Sequence, residues 1–189
     1  MQKLKEFAVP PGSQLFLKHE LGGQFNYSLD RLIWEGAAIN FLFKGGAISW
    51  CGNRNGLSIS DKYFLGGSNF YGFRERGVNN QIKEEENLGG DTFIFTSLHL
   101  ALPFPQFLNI PKWIRPEAFL EFGNIINSQK QNYSCLFHYD NFRSSFGVGF
   151  ALSTSLGRIS FNISNPIHYK KLDKVSVNNI QFNFQLNWL

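Results

Sequence analysis

The chain has 189 residues, 43% of them apolar and 16% aromatic, including 21 Phe and 4 Trp. That length argues for one domain, and the absence of any stretch of about eighteen apolar residues excludes a transmembrane helix. The formal charge of +4 comes from scattered Lys and Arg with no basic stripe beyond Lys170-Lys171, which argues against nucleic-acid binding.

Residues 1–14 read as an N-terminal segment. Met1 to Phe7 has no apolar centre and no small-residue cleavage site, so it is not a secretory signal. Strands are then expected at Leu15–Leu21, Phe25–Trp34 and Ala37–Ser49. From Gly66 to Gly90 the chain carries too much glycine for a strand and reads as one long loop containing Glu84-Glu85-Glu86. A strand at Asp91–Leu102 is closed by Pro103 and Pro105, which cannot donate to a ladder.

The strand expected at Ile114–Ile125 places Phe119, Glu121 and Gly123 on one face and Ala118, Leu120 and Phe122 on the other. Ile126 to Phe142 reads as a polar loop. The cleanest alternation follows. Phe146, Val148, Phe150 and Leu152 alternate with small residues, and Ile159, Phe161 and Ile163 alternate with polar ones. Thr154-Ser155-Leu156 leaves room only for a tight hairpin between these strands. Pro166 to Asn179 reads as a second polar loop. In the last strand Ile180, Phe182, Phe184, Leu186 and Trp188 alternate with Gln and Asn. The total is about eight strands, all β, with short turns at one end and long loops at the other, the pattern of a transmembrane barrel. A mean hydropathy of -0.19 fits that alternation and fits a soluble β-sandwich equally.

No constellation suggests catalysis. His19, His99, His138 and His168 stand apart without ligand spacing, and Cys51 and Cys135 are too few for a disulfide framework. No nucleophile elbow, phosphate loop or paired-acid motif is present. The expectation is no enzyme activity, no catalytic residue, no metal and no cofactor.

The run Gly66-Gly67-Ser68-Asn69-Phe70-Tyr71-Gly72-Phe73-Arg74 resembles the loop signature of the outer-membrane barrel assembly superfamily. That superfamily includes bacterial BamA, the central barrel of the mitochondrial sorting and assembly machinery, and the chloroplast import pore. The order of segments after the loop, through Leu98-His99-Leu100-Ala101-Leu102-Pro103, looks like the mitochondrial member in particular. The resemblance implies a barrel of about sixteen strands, of which residues 15–189 would supply the C-terminal half, with loop 66–90 folded inward. It implies that Phe119, Glu121 and Gly123 lie on the strand that receives the loop. The family arginine of that loop falls on Tyr71, with Arg74 just after it. The sequence leaves open whether Tyr71 or Arg74 meets Glu121. The last strand resembles the mitochondrial β-signal through Gln181, Leu186 and Trp188, with Asn183 where glycine is usual.

The function implied is insertion and folding of β-barrel precursors in the mitochondrial outer membrane, where no cleavable signal is needed. The implied partners are membrane lipid, barrel precursors, accessory subunits and an N-terminal barrel half, with no nucleic acid. Half a barrel has two bare edges, so a fragment or split gene product is expected. Two rivals remain: a polypeptide-conducting pore of the same superfamily in the plastid outer envelope, and a soluble β-sandwich binding module.

Overall fold

The structure is a computed structural model. It describes residues 16–29, 35–50, 58–80, 87–105, 108–111, 113–128, 131–154, 157–176 and 179–186. The N-terminal segment, the acidic run Glu84–Glu86 and Trp188 lie outside the described residues.

Alternating side chains become a single antiparallel sheet with strands in chain order. The strands are β1 (Phe16–Ser28), β2 (Ala38–Trp50), β3 (Thr92–Ala101), β4 (Ile114–Ile126), β5 (Arg143–Ser153), β6 (Gly157–His168) and β7 (Asn179–Leu186). Among the described residues there are seven strands where about eight were expected. The separate strands predicted at Leu15–Leu21 and Phe25–Trp34 are one continuous β1 over the described residues. Gly22 and Gly23 had read as a break, yet both stay in register, opposite Lys44 and Phe43. Backbone pairing on a neighbouring strand overrides the weak strand propensity of glycine. Residues 30–34 lie outside the described residues. β6 also runs through Pro166 to His168, beyond its expected end. The register shifts at Ser144/Ser145 opposite it, so the missing proline N–H falls at an irregularity. The only α-helix among the described residues is one turn, Ser134–Phe137.

The register produces two unlike faces. On one, Phe41, Leu98, Leu120 and Phe146 line up across four strands. Beside them run Val148, Ile163 and Ile180, then Phe150, Phe161 and Phe182. All ten are exposed. On the other face Ser97, Glu121 and Ser145 form one row, and Phe119, Gly147 and Ser164 the next. These six are buried. Gly147 is required there: a Cβ would stand 2.3 Å from Phe119 Cζ, so the ring lies over bare backbone.

The connections divide by end. At one end two connections return quickly, with Leu29 N–H on Ala37 O at 2.8 Å and Thr154 N–H on Gly157 O at 2.9 Å, and between them lies the longer connection 102–113. At the other end lie the three long connections, 51–91, 127–142 and 169–178. The first of these folds back over the polar face. Among the described residues β1 and β7 are each paired on one side only.

Candidate functional site: an inward loop and its receiving strand

The loop is built on glycines. Tyr63 and Gly90 exchange two backbone hydrogen bonds, of 2.9 and 3.0 Å, and close its base. Gly66 has φ +129, and a Cβ there would lie 2.2 Å from Arg74 O, so only glycine fits the turn. The turn throws Leu65, Phe70, Phe73 and Val78 onto Ile48, Phe95 and Ile125 of the sheet. Phe70 packs 4.7 Å from Phe73 and edge-on at 5.6 Å to Phe95. Gly123 makes room for it, since a Cβ would meet the Phe70 ring at 3.0 Å. Phe70 and Phe73 are fully buried, and each such ring stabilises the docked loop by about 1.5–3 kcal/mol through removal from water.

The tip of the loop reaches β4 and β7. Tyr71 N–H donates to Glu121 Oε2 at 2.6 Å, and the Tyr71 ring leans on Phe119 at 5.0 Å. Its hydroxyl turns away from Glu121 and accepts from Asn183 Nδ2 at 3.0 Å. Gly72 N–H donates to Gln181 Oε1 at 3.2 Å, and Ser164 Oγ donates to the same oxygen at 2.9 Å. Arg74 is exposed, and its backbone N–H donates to Lys174 O at 2.9 Å. Thus neither the Tyr71 hydroxyl nor the Arg74 guanidinium meets Glu121; a main-chain donor does. Of the residues resembling a β-signal, Gln181 faces the loop. The side chain of Leu186, and Trp188 altogether, lie outside the described residues.

Sequence reasoning missed the knot that anchors the loop. Arg143, 1% exposed, donates all five of its N–H groups. Asp173 receives two at 3.1 and 3.2 Å, Asn124 Oδ1 one at 3.1 Å, Asn141 O one at 2.9 Å and Asn79 O one at 2.5 Å. Asp173 also accepts the N–H groups of Asn79 at 2.8 Å and Lys170 at 2.6 Å. One guanidinium therefore ties together all three long connections. Burial lowers the Lys170 ammonium below its usual range, and the Arg143 charge adds to that.

Along the same face, His99 lies between two carboxylates. Its Nδ1 stands 3.8 Å from Glu117 Oε2 and its Nε2 4.0 Å from Glu121 Oε1, while the ring stacks on Phe119 at 5.3 Å. His99 had read as isolated, because spacing along the chain does not reveal a neighbour across a ladder. These groups line a cavity of about 590 Å³ between loop and sheet, with Glu20, Lys44 and Ser97. No group of three metal-ligating side chains stands together among the described residues.

An antiparallel meander, apolar on its outer side and polar on a side filled by its own loop, defines a wall of a membrane β-barrel. The chain belongs to the Omp85 superfamily, whose domain matches residues 3–188. It is 27% identical over 170 residues to a SAM50-like protein of Schizosaccharomyces pombe, covering 87% of this chain and 34% of that one. The fold matches the crystal structure of BamA from Haemophilus ducreyi lacking POTRA domains 1–3. The TM-score is 0.69 at 19% identity, over 93% of this chain and 35% of that one. The chain thus spans about a third of the length of both. It is an outer-membrane barrel protein of the Omp85 type, similar to SAM50 and BamA.

Proposed function

We propose that this chain is the C-terminal part of a barrel that inserts and folds β-barrel precursors in the mitochondrial outer membrane. The observation that carries the reading is the join between the inward loop and β7. Tyr71 and Gly72 grip Asn183 and Gln181, while β7 pairs with β6 alone among the described residues. An edge strand offers a row of unpaired N–H and C=O groups, and an extended segment adds to it by main-chain hydrogen bonds. A precursor's last strand pairs there, and the loop holds the edge in position from inside. Gly66, Gly67, Tyr71, Gly72, Phe73 and Arg74 form the brace; Phe119, Glu121 and Gly123 form its seat. An N-terminal barrel half supplies the remaining strands, and accessory subunits act beside it. No covalent bond is made or broken, so the process asks for no catalytic residue and no cofactor. The mitochondrial address draws support from the name of the S. pombe relative and from the motif order.

The test is site-specific crosslinking in isolated mitochondria from photoreactive residues placed at 180–184. Adducts with the last strand of a barrel precursor, together with slower barrel insertion on depletion, are the expected result. Adducts with non-barrel preproteins, with barrel insertion unchanged, would instead favour a conducting pore. Release of the intact chain by alkaline carbonate would return it to the soluble β-sandwich class.

A further inference from the structure

The apolar outer face does not stop where the ladder does. By alternation Asn124 continues the outward row of Leu120 and Phe122 on β4, opposite Ile94 of β3. Its side chain is fully buried and donates to Cys135 O at 3.0 Å and to Leu136 O at 2.8 Å. The helical turn Ser134–Phe137 is therefore laid against the outer side of the sheet at the long-connection end, in contact with β3 and β4. Arg143 donates to the oxygen of the same Asn124 amide at 3.1 Å, so the knot also fixes the turn. Within the turn only Leu136 is buried. Phe137 and Tyr139 are 70% and 83% exposed, and Tyr133 is exposed beside them. Ile167 and Tyr169 are exposed at the neighbouring end of β6, and the Tyr139 ring stacks on His168 at 6.3 Å to join the two groups. Large rings left in the open contribute nothing to the core, and a cluster of them marks a contact surface.

We infer that this aromatic collar is seated in the lipid headgroup layer, with the helical turn lying in the interface plane outside the barrel wall. The order of residues along β6 supports lipid as the occupant. Phe161 and Ile163 come first, then Ile167, then His168 and Tyr169, then Lys170 and the exposed Lys171. Apolar, amphipathic and cationic side chains follow one another as hydrocarbon, interface and phosphate do. The height agrees. From Ile159 to His168 the strand climbs about 23 Å, at about 3.3 Å per residue and a tilt of about 40°, against an apolar band of roughly 25 Å. The collar thus begins where hydrocarbon ends. Its polar atoms suit the layer too, because tyrosine hydroxyls and the Lys171 ammonium donate, whereas lipid phosphates and ester carbonyls accept. The collar also runs without a break into the apolar outer rows. A soluble protein covering it would be pressed against hydrocarbon, whereas lipid covers both. The inference rests on the reading of the sheet as a barrel wall and adds to it an anchor outside that wall.

The test measures depth in the full chain, reconstituted into vesicles of mixed phosphatidylcholine and phosphatidylglycerol. Nitroxide labels are attached one at a time to Phe137→Cys, Tyr139→Cys and Tyr169→Cys in a Cys51→Ser, Cys135→Ser background. All three positions are exposed, so the labels displace no core residue. Power-saturation spectroscopy then compares collisions with oxygen, which enters the bilayer, and with a water-soluble nickel chelate. Ile163→Cys supplies the hydrocarbon reference, and the exposed Ser60→Cys supplies the aqueous one. The collar labels should fall between the two references, at an immersion of about 5–10 Å. Labels at 137 and 139 as open to the chelate as the one at 60, with the label at 163 deep, would place the turn in water and overturn the proposal. Labels shielded from both probes would also overturn it, because a protein partner then covers the collar. If one labelled variant fails to assemble, the other two positions decide. A label at 163 open to the chelate would remove the barrel-wall reading, and the anchor with it.

Discussion

The region around Arg143 and the region around Glu121 belong to the same polar face, yet they are finished in opposite ways. At Arg143 every donor has an acceptor, and the acceptors come from three separate connections. Around Glu121 the ladder places polar groups side by side and leaves several unmatched: Ser97 Oγ, Ser145 Oγ, His99 Nδ1 and Asn162 Oδ1. The first region spends its polar groups on holding the chain to itself. The second keeps them in reserve. Tyr71 and Phe119 lie where the two meet, and the loop that the knot anchors is the loop that shapes the cavity.

This contrast can be broken experimentally, most forcefully at the knot. Arg143→Ala should destabilise the protein by about 3–5 kcal/mol, because it leaves Asp173 charged, buried and uncompensated. Denaturant unfolding in detergent would read this, and a shift under 1 kcal/mol would show that the knot is ornamental. The double change Arg143→Met with Asp173→Leu should recover most of the loss, since an apolar pair removes both desolvated charges. Phe70→Ala should cost about 3 kcal/mol by emptying the space over Gly123. Its distinctive readout is local: amide hydrogens of residues 66–78 should exchange faster while β5 and β6 stay protected. On the outer face, Phe150→Arg should cost about 2–4 kcal/mol in a bilayer, where a mid-membrane cation faces lipid. The same change measured in urea-solubilised chain should have little effect on compactness, which separates lipid exposure from packing. At the cavity, Ser97→Ala should leave stability unchanged or raise it by about 1 kcal/mol, because the buried hydroxyl it removes makes no bond. A large loss there would mean that the two regions are equally committed to structure.

Much of the sheet was legible because alternation is a local property. Phe146, Val148 and Phe150, and Phe161 and Ile163, declare their face without reference to any other strand. So do Phe119, Glu121 and Gly123. β1 was not legible, since Gly22-Gly23 carries the signature of a turn and only the ladder to Lys44 and Phe43 overrules it. The knot was invisible for another reason. Arg143, Asp173, Asn79 and Asn124 lie in four separated stretches, and each looks like an ordinary polar residue of a loop or strand end. The question of what meets Glu121 was framed between two side chains, Tyr71 and Arg74, whereas the donor is a peptide N–H. Every residue but proline has one, so composition gives no hint of which will be used.

The order of the seven described strands has a consequence for polarity. Each strand reverses the one before, so β1 and β7 run in the same direction. If these two margins met, their seam would be parallel, with slanted hydrogen bonds and slightly weaker pairing per residue. An antiparallel seam at both margins requires an interposed segment with an odd number of strands. Parity alone thus sorts the additions that could complete this wall into those that match both margins and those that mismatch one.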